Sequence, residues 1–160
     1  GRRFGGLDLL QGDADRNALL EAILERWEQR DTELVIAAID ETGDATTRLR
    51  ALLRVAFTSV LANSADGRGS VELALQASAA HPLVAATLDR VTARRLGQLT
   101  ALFVALGLSP SAARDRGLLA YTAFLGHVQL AHATPELLPK GRAYSAHVNR
   151  TVEALVRVGS

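Results

Sequence analysis

Gly107-Leu108-Ser109-Pro110, with the uncharged run Gly117-Leu118-Leu119-Ala120-Tyr121-Thr122-Ala123-Phe124-Leu125-Gly126-His127-Val128-Gln129-Leu130-Ala131-His132-Ala133-Thr134-Pro135 behind it, decides how this chain folds. Glycine stops a helix, serine accepts from the unpaired N–H groups of the next one, and the fixed φ of proline suits a first helical position. One helix therefore ends here and another begins. The new helix is predicted from Pro110 to about Ala133, where Thr134-Pro135 and then Leu138-Pro139 break it. At about 100° per residue, Leu118, Leu119, Tyr121, Phe124, Leu125, Val128 and Leu130 surround most of its circumference, more than one neighbouring layer can cover. One side is expected to face the domain core and the other a partner chain, with Gly126 permitting close helix approach. The run is long enough to raise the membrane question. Tyr121, Thr122, His127, Gln129 and His132 answer it, and no basic flanks with an aromatic belt frame the segment, so it reads as a helix buried in protein, with no membrane partner.

The same helical spacing continues in both directions. Ala and Leu recur at steps of three and four while alternating β-branched runs are scarce, so every long element reads as helix and the fold class is all-α. Asp15 is placed to cap a helix carrying Leu20, Ile23, Leu24, Trp27, Leu34, Val35 and Ala38, with Gly43 after its end. A second helix is predicted from about Thr46 to Asn63, with Leu49, Leu52, Leu53, Ala56, Phe57, Val60 and Leu61 on its apolar face. Asn63 to Ser70 reads as a polar loop and Val71 to Ala80 as a short helix. His81-Pro82 opens a long helix through Leu88, Leu96, Leu99, Leu102, Phe103 and Leu106. The last helix, from about Lys140 to Val158, aligns Tyr144, Val148, Thr151, Val152 and Leu155.

The 160 residues are 48% hydrophobic and 22% charged, which suits one globular domain and excludes disorder. A net charge of +1 gives no overall field toward nucleic acid or a membrane surface. The absence of cysteine excludes disulfides, thiolate metal sites and a cysteine nucleophile. Without methionine, Gly1 is expected to be a fragment end, a processed end or the start of an incomplete sequence. Arg2 and Arg3 precede no apolar run, so no secretory signal is read and the expected compartment is cytoplasmic.

No constellation points to catalysis. No Glu is followed three positions later by His, as a ferritin-like metal bundle requires, and His127 and His132 lie about 140° apart on a helix. These histidines read as interface or core groups, so neither a metal nor another cofactor is expected. Ser145 and His147 point apart and lack a nucleophile elbow, and no phosphate-cradling glycine motif is present. Glu21, Glu25, Glu28, Asp31 and Glu33 read as the solvated side of an amphipathic helix, and Arg94-Arg95 beside Arg90 as a wet flank. What stands out is an apolar helical core with scattered aromatics and a few internal polar groups, a lining that suits a small-molecule cavity.

Ala14-Asp15-Arg16-Asn17-Ala18-Leu19-Leu20-Glu21-Ala22 resembles the stretch after the DNA-binding region of TetR-family transcriptional regulators, where a long linking helix begins. Leu125-Gly126-His127-Val128-Gln129-Leu130 resembles the penultimate helix of many members, and the helix order from Asp15 to Val158 is similar over most of the chain. The resemblance implies the family's C-terminal ligand-binding and dimerisation domain over residues 15–160, dimerising through a four-helix bundle of the last two helices. Gly6-Leu7-Asp8-Leu9-Leu10 resembles part of the family's first helix, so residues 1–14 are expected to be a remnant of the DNA-binding region, with a helix-turn-helix segment omitted between about Leu10 and Asp15. The implied function is that of a homodimeric repressor, not an enzyme. It would bind a palindromic operator through a helix-turn-helix that these residues do not include, and a small, largely apolar effector would release it. Trp27, Phe57, Leu61, Gln76, Leu99, Phe103, Tyr121 and Phe124 are the expected cavity residues. Leu118, Leu125, Val128, Gln129, Tyr144, Val148, Thr151, Val152 and Leu155 are the expected dimer contact. The alternative from another class is a stand-alone helical module that binds a protein partner or a ligand without reading DNA.

Overall fold

The computed structural model describes the backbone of residues 5–39, 43–65 and 68–159, with the side chains of 11–37, 43–62 and 71–159. The Arg2-Arg3 pair and the side chain of Ala38 lie outside the described residues. Six helices follow one another: α1 (Gly5–Ile39), α2 (Ala45–Ala65), α3 (Arg68–Ala77), α4 (Pro82–Ala105), α5 (Pro110–Ala133) and α6 (Gly141–Val156), with a 3₁₀ turn at Pro135–Leu137. No strand occurs among the described residues, and the fold is all-α.

The punctuation works as its chemistry predicts at both ends of the α4–α5 connection. Gly107 adopts φ +100° at the end of α4. Its N–H reaches Val104 O at 2.9 Å and that of Leu108 reaches Phe103 O at 3.2 Å, the pair of bonds that closes a Schellman motif. Ser109 then accepts from the Ala112 N–H at 3.3 Å with Pro110 at the first turn. Asp44 caps α2 by accepting from Thr47 N–H at 2.8 Å, and His81 caps α4 through Nδ1. At the N-terminal end the structure departs from expectation. Helix α1 starts at Gly5 and runs unbroken through Asp15, so Asp15 is an interior residue of the helix and not its cap. Gln11-Gly12-Asp13 contains no proline to interrupt the hydrogen-bond ladder, and one Gly costs a helix only about 1 kcal/mol. Helix α2 likewise runs on to Ala65 and α3 starts at Arg68, inside the stretch read as a loop.

α4 and α5 form the most extensive helix pair, and α2 lies against α3, α4, α5 and α6. The main core joins Leu49, Leu53 and Phe57 of α2 to Leu99 and Phe103 of α4, Ala120 and Tyr121 of α5, and Tyr144, Val148, Val152 and Leu155 of α6. Burying a side chain the size of Phe57 is worth roughly 1.5–3 kcal/mol. Gly117 brings α5 onto α4, since a Cβ there would already touch Leu99 and Thr100 at 3.4 Å. The Tyr144 hydroxyl donates to Phe57 O at 2.7 Å and pins α6 to α2; burial raises its pKa. A smaller cluster of Leu24, Leu75, Val84 and Leu88 seats α1 on α3 and α4.

Much of the surface expected at a dimer contact is already covered within the single chain. Tyr144, Val148, Val152 and Leu155 are buried within the single chain, on the face that α6 turns to α2. Val128 is buried with Val60 and Ala131. Helix α6 has one apolar stripe, and its own chain covers it. Of the nine residues, Leu118 and Gln129 are exposed, while Leu125 and Thr151 are half-buried. At Gly126 nothing among the described residues lies within 4 Å of the Cβ position.

Candidate functional site

A cavity of about 710 Å³ opens between α1, α2, α3, α4 and α5, within the range of small-molecule sites. Its depth is walled by Leu53, Phe57 and Val60 from α2, Leu99 from α4, and Ala120, Tyr121, Phe124 and Val128 from α5. Ile23, Leu34, Val55 and Val71 stand at the mouth, where each is more than a third exposed although large and apolar. Such side chains usually seek cover, and the cavity they ring offers it to a ligand.

Five of the eight residues expected at the cavity line it: Trp27, Phe57, Leu99, Tyr121 and Phe124. The other three lie elsewhere. Phe103 sits one turn beyond Leu99, about 6 Å further along α4, and is wholly enclosed in the main core. Leu61 packs between the main core and the Val60 cluster. Gln76 is half-buried on α3, away from the lining.

The polar wall of the cavity escaped the sequence reading. Asp31 from α1, Glu72 from α3, and Arg95 and Gln98 from α4 all line it. Arg95 bridges three helices. Its Nε and Nη2 meet Asp31 Oδ1 at 2.9 and 2.8 Å, while Nη1 and Nη2 donate to the two Glu72 oxygens at 3.1 and 3.3 Å. The Tyr121 hydroxyl lies 3.5 Å from Nη1 and 3.4 Å from Thr92 Oγ1. The guanidinium carbon also stands 5.4 Å from the Trp27 ring, 5.7 Å from Phe124 and 5.8 Å from Tyr121, within cation–π range of all three. Burial works against its charge, but Glu72 and Asp31 outweigh burial and hold Arg95 protonated, its pKa raised. Two further arginines join α4 to α1: Arg90 and Arg94 both reach Glu28, at 3.0 and 2.9 Å, and Arg94 also donates to Thr32 at 2.8 Å. The Arg90 hydrogen bond and, against burial, that from Arg94 hold the Glu28 carboxyl below the usual carboxylate range.

The acids and arginines read as wet helix flanks are therefore partners across the α1–α4 interface. Glu21, Glu25 and Glu33 are exposed as expected, while Glu28 and Asp31 turn inward. The signal lay in complementarity: the acids at 28 and 31 share a face of one helix, and the arginines at 90 and 94 share a face of another.

The histidines form a separate arrangement. His127 Nε2 lies 2.9 Å from His147 Nε2, and His127 Nδ1 donates to Ala123 O at 2.7 Å. With Nδ1 as donor, neutral His127 accepts at Nε2, and His147 supplies the proton between them. Burial, then His127 and Arg150, lower the pKa of His147. His132 and Ser145 are exposed. Among the described residues no three metal-ligating side chains converge, and no helix is long and apolar enough to cross a membrane.

Compared with family models, curated proteins and solved structures, the chain matches none of them. What the site can do rests on its geometry. A deep apolar space with one polar wall can hold a small molecule and fix its orientation.

Proposed function

We propose that this chain is the ligand-binding and dimerisation domain of a ligand-responsive transcriptional regulator of the TetR type, a homodimer released from a palindromic operator by a small, largely apolar effector. The observation that carries the reading is the cavity itself: about 710 Å³, apolar in its depth, and walled on one side by α1, the helix whose Asp15 to Ala22 stretch resembles the family's linking helix. A ligand seated there touches α1 directly and can bias its position, which is what coupling an effector to a DNA-binding module requires. Helix α5 supports the homodimer. Ala113, Gly117, Ala120, Tyr121, Val128 and Ala131 face the core, while Leu118, Leu119 and Leu130 stay 42–53% exposed on the other side, beside the open Gly126.

Trp27 is the chain's single tryptophan and lines the cavity, so its emission reports occupancy. Titration with the neutral fluorophore N-phenyl-1-naphthylamine is expected to quench Trp27 by energy transfer and to saturate at one probe per chain. Ala56→Phe, from the α2 wall, is expected to fill the space and weaken the probe at least about tenfold, or 1.4 kcal/mol. Light scattering at micromolar concentration is expected to give a dimer, and Leu118→Glu with Leu130→Glu a monomer. No saturable probe binding would remove the effector reading and leave the stand-alone interaction module, which uses the same exposed α5 face.

A further inference from the structure

Asp31 is only 9% exposed, and its two carboxylate oxygens have different fates. Oδ1 takes two bonds from Arg95, whereas Oδ2 is buried with no hydrogen-bond partner among the described residues. Gln98 Oε1, on the same cavity wall, is likewise buried and unpartnered. An enclosed acceptor without a donor costs about 1–3 kcal/mol, and more when it is charged, so two of them on residues that line one cavity mark where a ligand's donors belong. Arg95 cannot supply them. Its five N–H groups are occupied by Asp31, Glu72 and Tyr121, which also leaves no guanidinium donor for an anionic ligand. One guanidinium between two carboxylates leaves this wall with a formal charge of −1. Arg26, Arg30 and Glu33 also line the cavity, but at its solvated mouth, where their fields are screened.

We propose that the cavity takes a cationic amphiphile, an alkyl- or arylalkyl-ammonium whose N–H groups donate to Asp31 Oδ2 and Gln98 Oε1 while its apolar body lies against Trp27, Phe57 and Phe124. The proposal rests on the ligand-binding reading above and specifies the chemistry of that site. The ammonium supplies the missing donors and neutralises the excess negative charge, and the aromatic wall suits a cation flanked by carbon.

The test is a series of equal length and differing head group, 4-phenylbutylamine, 4-phenylbutan-1-ol and 4-phenylbutanoate, titrated into the protein at neutral pH with Trp27 emission and calorimetry as readouts. The amine is expected to bind at least about tenfold tighter than the carboxylate, with the alcohol between them, the scale of one charge-assisted hydrogen bond. Asp31→Asn is expected to remove the preference of amine over alcohol. Gln98→Leu leaves the Asp31–Arg95–Glu72 pairing in place and is expected to weaken amine and alcohol alike, which covers the case in which the Asp31 variant fails to fold. Equal affinities across the series, or a tighter carboxylate, overturn the proposal and leave the ligand site standing. So does an amine that fails to bind where N-phenyl-1-naphthylamine binds. Failure of all four compounds removes the ligand-binding reading instead.

Discussion

Replacing Arg95 by Met keeps the length and much of the volume of the side chain and deletes only the guanidinium. In the wild type that group makes contacts of 2.8–3.3 Å to Asp31 and Glu72, whose side chains are each 10% exposed. Without it, two carboxylates from α1 and α3 face one another with nothing to neutralise them. Breaking a buried pair in this way costs about 3–5 kcal/mol, and no large solvent discount applies to a guanidinium side chain that is 14% exposed. For a chain of this size each kcal/mol lowers Tm by about 2–4 °C, so the expected loss is about 6–20 °C, measured by thermal melts followed by circular dichroism. The pH dependence gives a sharper signature. In the variant two enclosed carboxylates face one another without a counter-charge, and acid relieves that repulsion by neutralising them. The gap between variant and wild type is therefore expected to narrow as pH drops from 7.5 to 5, and Asp31→Asn with Glu72→Gln in the Arg95→Met background to close most of it at neutral pH. A loss below about 1 kcal/mol, the scale of an exposed ion pair, or a gap that does not change with pH, refutes the buried three-helix bridge.

Two further substitutions and one pH effect follow from the same geometry. Tyr144→Phe removes the 2.7 Å bond to Phe57 O while preserving the ring, and is expected to cost about 1 kcal/mol in urea unfolding with the slope unchanged. Gly107→Ala forces a Cβ onto a φ of +100° and is expected to cost about 1–3 kcal/mol, although the position has open space around it, so a neutral result would show that the backbone had changed conformation. Because the pKa of His147 is lowered on folding, the unfolded chain binds the proton first as pH falls. Its stabilising contribution is complete above the ordinary histidine value of about 6.5 and is lost as pH drops from there through the lowered one. His147→Gln is expected to flatten that part of the pH–stability curve, and a slope that survives the substitution would assign it to another group.

Local punctuation was the most legible part of the sequence. The bounds of α5, the start of α4 and the stop at Gly107 follow from Pro, Ser and Gly chemistry that acts within four residues and needs no tertiary context. The start of α1 was less so, because Asp15 has the chemistry of a cap but a helix passes through such a residue when nothing upstream breaks the ladder. Aromatic residues on inward faces located half of the site. Phe103 shows why the rest was hidden, since it shares Leu99's face and only the depth of the neighbouring helices decides which of the two meets a cavity and which meets the core. A related limit applies to apolar stripes: one such as that of Tyr144, Val148 and Val152 announces that it will be covered, not by whom, and here α2 of the same chain covers it. Charge pairing across helices was the least legible, because Asp31, Glu72 and Arg95 are far apart in sequence and each alone reads as a surface charge.

The two sides of the cavity differ in how they resist movement. The α2–α6 side is held by interlocked apolar groups such as Phe57 and Val152, both fully buried, and sliding one past the other opens voids whose lining loses contacts outright. Helix α1 also packs on α2, but it is held to α3 and α4 differently, by a small apolar cluster and by polar contacts in register along one face: Glu28 with Arg90 and Arg94, Thr32 with Arg94, and Asp31 with Arg95. The Glu28 pairs are partly exposed and individually worth little, so exchanging one for water or for a neighbouring turn costs far less than opening the core. The exception is Asp31, a lining residue of the cavity that is both the buried anchor of α1 and a carboxylate with one oxygen unpartnered. A donor placed on Oδ2 does not compete with Arg95, which holds Oδ1; it adds a second hold on α1 at the point where α1 is already fixed. Ligand affinity and α1 position are then linked through one side chain, and by reciprocity whatever holds α1 in place tightens the ligand by the same factor.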